Sequence, residues 1–319
     1  MDRLDIKSLA LDITEEAYRE LPHLNYSMLS AYNKSGILSF KKEKEETKSL
    51  ILGSLVDHML TSDTSWRDKY SVLDSSITQR ALSVVNLMKQ GFDIDYAINE
   101  NYPVNWKLET KINKYKEEIG NYEDELLDGN KIMIPEEMLN KAVTMVRRIQ
   151  SHPVAGLYFS ENDLDISYQL KFIANIDNID YKCMVDALYV NHKDKTIQPI
   201  DLKTTSKHIW EFPNSFMFYN YWIQANLYKD IIQENIAEYE DYSVLPYQFV
   251  VVNAIEEEPC IVYSFNYSTP QGVEVKSNIP YREIAKDVLF YTYQGHVNIP
   301  REFEGSVVNI NQFLNYDRT

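Results

Sequence analysis

The spacing of hydrophobic residues along the chain changes near residue 153. Before that point, apolar side chains recur at helical intervals, as they do within 52–60, 81–88 and 138–149. After it, the interval shortens to two residues or gives way to brief apolar runs, which predicts strands over 166–173, 181–190 and 196–202. A helical part is therefore followed by a part that forms a sheet.

The segments around these strands complete an α+β pattern. Turn-forming residues at 177–178 and 191–194 join the strands, so a meander of three antiparallel strands is the simplest arrangement. Later segments predict a helix over 216–233, strands over 247–254 and 260–267, and a last helix over 281–294. The charged run 41–48 indicates a solvated linker or an exposed helix end, and the run 106–127 indicates an exposed helical arm. We therefore expect an α+β fold with a large N-terminal helical region.

Composition narrows the class of protein. The 319 residues are 44% hydrophobic, which is enough for a well-buried core, and only Cys183 and Cys260 could form a disulfide. A net charge of −16 argues against general affinity for nucleic acid, so any DNA would need a local basic groove. The chain has no apolar run long enough for a membrane span or signal peptide, from which we expect no membrane association and a cytoplasmic location.

The strand that contains Asp201-Leu202-Lys203 carries the clearest candidate chemistry. A period of two places Asp201 and Lys203 on one face and Leu202 on the other. Asp186 lies in the preceding apolar strand, at a separation that fits a hairpin, so we expect both carboxylates to converge on one ion. Carboxylates, the Leu202 carbonyl and substrate phosphate suit Mg²⁺ or Mn²⁺. Such an ion activates water for phosphodiester hydrolysis, while Lys203 stabilises the developing charge.

The acid-x-lysine triplet is common in this acidic chain and is weak on its own. Triplets that begin at Asp5, Glu46 and Glu109 also match it, and we assign those to solvated surface. What separates Asp201 from them is its position in an apolar strand, after a second strand that carries Asp186. The pair of strands, rather than the triplet, indicates a site.

Three segments together resemble the PD-(D/E)XK nuclease superfamily, in particular the RecB-like and phage exonuclease branch that includes lambda exonuclease and RecE. They are CMVD at 183–186, PIDLKTT at 199–205 and YWIQANLY at 221–228. The resemblance implies a central mixed β-sheet of the PD-(D/E)XK type flanked by helices. Residues 1–155 would form a helical region, 156–319 would form the nuclease core, and the two would make a single nuclease domain.

The resemblance also implies roles for individual residues. Asp186 and Asp201 would be metal ligands, and Lys203 would be the catalytic lysine. Gln224 and Tyr228 lie one helical turn apart and would support the site and contact the DNA backbone, with Tyr221 beside them. The hydroxyls and lysine that directly follow the strand would either grip phosphates or only cap the next helix; they are Thr204, Thr205, Ser206 and Lys207.

Two positions depart from the pattern of the branch. Its N-terminal helix has the form G-x-x-x-H with a metal-binding histidine, whereas this chain has Asp57 four residues after Gly53 and His58 one residue later. We therefore favour Asp57, on a helix at about 50–62, as the ligand, with His58 as the alternative, because adjacent helical side chains diverge by about 100°. Where relatives carry a glutamate this chain has Gln169, a weaker ligand, which bears on a second metal ion.

The function that the resemblance implies is that of a metal-dependent DNA exonuclease acting on double-stranded DNA ends in the 5′ to 3′ direction. It also implies a single-strand annealing protein as partner and a ring-shaped homo-oligomer. An endonuclease or DNA-degrading nuclease on the same fold is a second interpretation, and an interaction protein that kept the fold is a third. The intact set of Asp186, Asp201 and Lys203 weighs against the third.

Overall fold

A mainly helical part precedes the main sheet, as the spacing of hydrophobic residues predicts. The computed structural model describes residues 3–36, 47–62, 64–73, 77–128, 131–160, 165–255, 258–267 and 280–294. In these ranges the helices are α1 Ile6–Leu9, α2 Glu15–Glu20, α3 Tyr26–Ser35, α4 Lys48–Thr61, α5 Trp66–Lys69, α6 Gln79–Lys89, α7 Ile94–Asn101, α8 Leu108–Ile119, α9 Glu123–Asp128, α10 Glu136–Ser151, α11 Ala155–Phe159, α12 Phe212–Phe218, α13 Tyr221–Asn235 and α14 Tyr281–Gln294. The strands are β1 Tyr70–Leu73, β2 Ile132–Pro135, β3 Ile166–Ile176, β4 Ile179–Asn191, β5 Thr196–Thr205, β6 Ser243–Val244, β7 Tyr247–Asn253 and β8 Ile261–Phe265. The expected α+β class is confirmed.

The main sheet is mixed. Its strands lie in the order β3-β4-β5-β7-β8, and β6 pairs with the start of β5. The strands β3, β4 and β5 form the expected antiparallel meander, whereas β5 and β7 run parallel, joined by a crossover that contains α12 and α13. Asp177 and Asn178 have φ values of 54° and 62°, the left-handed conformations that a two-residue hairpin turn needs. They close the β3–β4 hairpin.

Apolar clusters cover both faces of this sheet. On one face α3, α13 and α14 pack against residues such as Val185 and Phe249. On the other, Leu55 and Val56 of α4, together with α10, pack against residues that include Ile200 of β5. The N-terminal helical region therefore contributes directly to the core around β5, and this contact sets the position of α4 beside the sheet.

The segment 106–127 is helical as expected, but it is not an exposed arm. Helices α6 to α9 share a core in which Tyr115 is fully buried. The charged residues are satisfied inside it: Lys111 Nζ donates to Asn99 Oδ1 at 2.8 Å, and Glu118 Oε2 accepts from Tyr102 at 2.7 Å. The high charge of segment 106–127 therefore gave no indication that it packs in a core.

Three further points compare the structure with the predicted elements. The helix predicted over 216–233 is two helices, α12 and α13, separated at Asn220, which has a φ of 57°. A small parallel sheet of β1 and β2 forms within the helical part. The charged residues 41–46 lie outside the described residues, and Lys48 begins α4. None of the helices in the described ranges combines the length and hydropathy needed to cross a bilayer.

Candidate active site

A break in strand pairing opens where β3, β4 and β5 meet. The β3–β4 ladder skips Gln169 and Asp186, although the residues on both sides are paired. The β4–β5 ladder ends at Ala187 and Ile200. Gln169 has a φ of 51°, a backbone conformation that residues other than glycine rarely adopt and that is sustained only where surrounding contacts enforce it. Asp186 therefore lies at a gap in the sheet.

The carboxylate of Asp186 bonds across this gap to the neighbouring strand. Its Oδ2 accepts a hydrogen bond from the backbone N–H of Leu202 at 2.9 Å. Because the N–H and C=O of one strand residue point to the same side, the Leu202 carbonyl is directed to the same edge of β5. Two of the predicted oxygen donors, the Asp186 carboxylate and the Leu202 carbonyl, thus lie at one edge.

Asp201 and Lys203 share a face of β5, as their spacing predicts. Lys203 Nζ lies 2.5 Å from Asp201 Oδ2 and 4.7 Å from the centre of the Tyr221 ring. Gln224 Nε2 donates to the other oxygen, Oδ1, of Asp201. Asp201 is buried, with 2% exposure, so a lysine and an amide rather than water satisfy its carboxylate. Leu202 packs in the opposite cluster, with α4.

Helix α4 brings Asp57 to the same region. Both carboxylate oxygens of Asp57 accept hydrogen bonds from Gln169 Nε2, at 3.1 and 3.0 Å. Gln169 therefore presents its amide nitrogen to Asp57, and not its carbonyl, which differs from the weak metal-ligand role expected for it. His58 also lines the cleft, but its Nε2 lies 3.4 Å from Thr64 Oγ1, and its ring packs against the edge of Tyr70 and not against Gln169 or Asp186. This arrangement favours Asp57 over His58 at the site.

The charges at the site are unbalanced. Burial, followed by the negative charge of Asp201, raises the pKa of Asp57 to about 6. Burial, followed by Asp201 and Asp57, raises the pKa of Asp186 well above its usual range. Burial opposes the charge on Lys203, but attraction to Asp201 and Asp186 outweighs it and raises the pKa of Lys203. Asp57, Asp186 and Asp201 therefore repel one another, while Lys203 offsets part of the charge at Asp186 and Asp201 and Lys69 offsets part of it at Asp57.

These residues fit a divalent cation in charge and in donor type. The surplus negative charge and the oxygen donors suit Mg²⁺ or Mn²⁺, which often use only one or two protein carboxylates together with waters. They do not form a ready cage, since no group of three or more His, Cys, Asp or Glu side chains in the described ranges is arranged to hold a metal ion. The reason is visible in the contacts: Lys203, Gln224 and Gln169 already bond to Asp201 and Asp57.

The site lies in a wide cleft of about 1480 Å³ between α2, α4 and the strand break. Asp57, Asp186 and Lys203 all line it. Despite the net charge of −16, its wall carries five acidic side chains and five lysines or arginines, so it is far less negative than the chain as a whole. The four residues that follow the strand, predicted to grip phosphates, also line the cleft; they are Thr204, Thr205, Ser206 and Lys207.

Three predicted residues, Asp201, Gln224 and Tyr228, lie behind the cleft and not on its wall. Gln224 is 4% exposed and reaches only Asp201, and Tyr228 is 9% exposed and packs against Tyr247 in the core. A contact of either with a DNA backbone, as expected from the sequence, is therefore wrong for this arrangement. The helical spacing places both on one face, but that face packs against the sheet. Tyr221, by contrast, does line the cleft.

Several residues of the cleft escaped the sequence analysis. Arg19 of α2 and Lys69 of α5 supply cations to its wall, and Tyr26 of α3 and Tyr219 supply aromatic rings. Tyr26 OH donates to the Tyr219 carbonyl at 2.6 Å across 193 positions of sequence. No local pattern marks such a contact. The concentration of aromatic residues at 216–222 was the one signal that the sequence offered.

Comparisons with known proteins add little to this geometry. No protein-family model matches the chain, and no curated protein matches it. Among solved structures, the crystal structure of a "Putative exonuclease" from Eubacterium rectale is similar with a TM-score of 0.45 and 12% identity, over 94% of this chain and 95% of that one. The structure of SSO0001 is similar with a TM-score of 0.26 and 10% identity, over 81% and 91%. At these scores neither likeness establishes a shared fold or function.

Proposed function

We propose that this chain is a divalent-metal-dependent nuclease that hydrolyses phosphodiester bonds of DNA. The observation that carries the proposal is that Asp57, Asp186 and Lys203 line an open cleft at the strand break, with Asp201 buried against Lys203 behind its wall. Three mutually repelling carboxylates and one lysine suit a site that is completed by a cation and a phosphate. The order of these residues along the chain supports membership of the PD-(D/E)XK superfamily.

In this proposal the carboxylates of Asp57 and Asp186, with the Leu202 carbonyl, would hold Mg²⁺ or Mn²⁺. Asp201, which the resemblance implies as a further ligand, differs from that expectation here, because its two oxygens already bond to Lys203 and Gln224. Such an ion, when bound, would polarise the phosphate and lower the pKa of a bound water. Asp201 keeps Lys203 in place through their 2.5 Å contact, and Gln224 orients Asp201 in turn. Gln169 fixes the carboxylate plane of Asp57 through two hydrogen bonds.

Lys203 acts as a cation and not as a base. Because its pKa is raised, its ammonium stays protonated at neutral pH and cannot accept a proton from the attacking water. It can instead donate to a phosphate oxygen and stabilise the charge that develops there. In this proposal the hydroxyls of Thr204 and Thr205, which line the cleft, bind the neighbouring phosphates.

The more specific proposal is an exonuclease of the RecB-like and phage branch that acts on duplex ends, with 5′ to 3′ polarity. A ring-shaped homo-oligomer, a single-strand annealing partner and a role in recombination in the host cytoplasm belong to this proposal as well. An endonuclease on the same site is the alternative. Covalently closed circular DNA separates the two, because an exonuclease leaves it intact.

The experiment follows hydrolysis of end-labelled linear duplex and closed circular DNA with Mg²⁺ or Mn²⁺. Asp201→Asn and Lys203→Ala should each lower the rate by at least about 100-fold, as expected for loss of a group that stabilises the transition state. The matched control is the triplet at Asp5 and Lys7, which has the same acid-x-lysine spacing and two exposed side chains at the start of α1. Asp5→Asn and Lys7→Ala should change nothing.

Circular dichroism and thermal unfolding of each variant establish that it is folded. Native rates in folded Asp201→Asn and Lys203→Ala would refute the assignment. A chain that hydrolyses neither DNA with either metal would refute the nuclease proposal as a whole.

A further inference from the structure

Two large aromatic side chains are exposed at the mouth of the cleft. Phe218 is 55% exposed and Tyr219 is 43% exposed, although neighbouring aromatic residues are buried. The two rings meet edge to face, with centres 4.9 Å apart. Tyr219 lines the cleft itself. Exposed apolar surface that continues into a candidate active site indicates ligand contact.

Tyr219 is the outer ring of an aromatic column that reaches the predicted catalytic lysine. Phe212 and Tyr221 are nearly parallel, with ring centres 5.9 Å apart and planes at 19°. Tyr221 and Tyr219 are 5.6 Å apart with planes at 28°. Lys203 Nζ lies 4.7 Å from the centre of the Tyr221 ring. The column therefore leads from the core, past Lys203, to the exposed ring of Tyr219.

The turn that presents these rings is rigidly held. Asn220 is buried and has a φ of 57°, a left-handed conformation that asparagine tolerates better than most other residues. Helix α3 holds it: Tyr26 OH and Ser30 Oγ donate to the Tyr219 carbonyl at 2.6 and 2.8 Å, and Asn33 Nδ2 donates to Asn220 Oδ1 at 3.2 Å. The exposed rings are therefore placed in advance of any ligand.

The ammonium of Lys34 lies beside the rings of Phe218 and Tyr219. Lys34 Nζ lies 3.5 Å from the centre of the Phe218 ring and 5.5 Å from that of Tyr219. Aromatic faces alternating with cations beside a cleft are the arrangement with which proteins bind single-stranded nucleic acid, because every base has a face that can stack. A partly hydrated ammonium next to the rings is suited to the adjoining phosphate.

We propose that Phe218, Tyr219 and Lys34 form a platform on which an unpaired base at the end of a DNA strand stacks before the strand enters the cleft. The base extends the column beyond Tyr219, and Lys34 binds its phosphate. This inference rests on the proposed function and adds to it a preference for ends with a single-stranded tail. A protein partner at the same surface is the alternative that the experiment tests.

The experiment measures binding of duplex DNA with a short single-stranded tail that carries 2-aminopurine, whose fluorescence falls when it stacks. It uses the full chain with Asp201→Asn, so that the strand stays intact, and Ca²⁺ in place of Mg²⁺. The variants Phe218→Leu and Tyr219→Leu keep apolar volume and all backbone bonds of the turn but remove the aromatic faces. Each should weaken binding of the tailed duplex about 10-fold and abolish the quenching, with binding of a blunt duplex unchanged.

Phe92 and Tyr96 provide a matched control. They are 45% and 44% exposed, stack with ring centres 5.0 Å apart and are absent from the cleft wall. Phe92→Leu and Tyr96→Leu should leave binding and quenching unchanged. Equal affinity and quenching in the parent and in the platform variants would overturn the platform and leave the nuclease proposal standing. Absence of hydrolysis by the native chain is the separate failure of the proposed function.

Discussion

Replacing Asp57 with asparagine removes one carboxylate from the charged site and keeps its shape. The asparagine oxygen can still accept one of the two hydrogen bonds from Gln169. Partial burial and the negative charge of Asp201 raise the pKa of the native carboxyl to about 6 from an ordinary value of 3.8, so the folded protein binds its proton more tightly than the unfolded chain does. Without metal, the charged form of Asp57 therefore opposes folding.

The size and sign of the effect follow from linkage. The contribution of Asp57 to stability is fully present below pH 3.8 and is lost as the pH rises through about 6. At about 1.4 kcal/mol per pKa unit the whole rise corresponds to about 3 kcal/mol. Water in the open cleft screens part of it, so we expect Asp57→Asn to stabilise the metal-free protein by about 1–3 kcal/mol at pH 7.5, and by nearly nothing at pH 3.5.

The assay is the free energy of unfolding in urea, with EDTA or with Mg²⁺, at several pH values. Metal should stabilise the native protein, because it binds the folded state only, and it should stabilise Asp57→Asn much less. His58→Ala is the control for metal binding: it changes the adjacent residue and should keep the native response. Asp68→Asn, an exposed carboxylate of the same cleft, is the control for charge.

One result would refute the reasoning about stability. If Asp57→Asn is no more stable than the native protein in EDTA at pH 7.5, its carboxylate is not under the repulsion described here. If stabilisation by Mg²⁺ is lost in His58→Ala and kept in Asp57→Asn, then His58 and not Asp57 is the metal ligand.

Two further predictions concern contacts that hold α4 and α2 in position beside the site. A Cβ at Gly53 would lie 2.7 Å from Thr204 Oγ1, so Gly53→Ala should displace α4, lower the free energy of unfolding by about 1–3 kcal/mol and lower the activity. Adding Thr204→Ala to the same chain should restore the stability. An unaltered melting temperature in the Gly53→Ala variant would contradict this contact. Lys182 is buried, and its Nζ donates to three backbone carbonyls at the end of α2, at 2.7–2.9 Å. Lys182→Met should therefore lower the free energy of unfolding in urea by about 1–3 kcal/mol. An unchanged urea midpoint would show that α2 is held by other contacts.

The local pattern was sufficient for the strands that carry the site. Period two correctly placed Asp201 and Lys203 on one face of β5, and the turn residues at 177–178 correctly predicted the β3–β4 hairpin. Adjacent helical side chains diverge, so Asp57 and His58 have different partners, Gln169 and Thr64; the choice of Asp57 as the ligand stays a prediction. Each of these is a consequence of backbone geometry within one element or one hairpin, which neighbouring residues dictate.

Other features depend on residues far apart along the chain. The burial of segment 106–127 arises because Lys111 and Glu118 find polar partners inside a core, which their charge does not reveal. The helix break at Asn220 is held by α3, nearly two hundred residues earlier. The amide of Gln169 turns its nitrogen toward Asp57 because a carboxylate from another helix lies there. In each case a distant partner decides the outcome.

Spacing and residue type therefore determined the class of fold, the strand pair and the identity of the acidic and basic groups, because periodicity acts over a few residues. Tertiary structure decided which oxygens are already bonded, that Gln224 and Tyr228 face the core, and that exposed rings border the cleft. These depend on how α3, α4 and α13 pack on the sheet. Packing is a property of surfaces brought together by the whole chain, and no single segment encodes it.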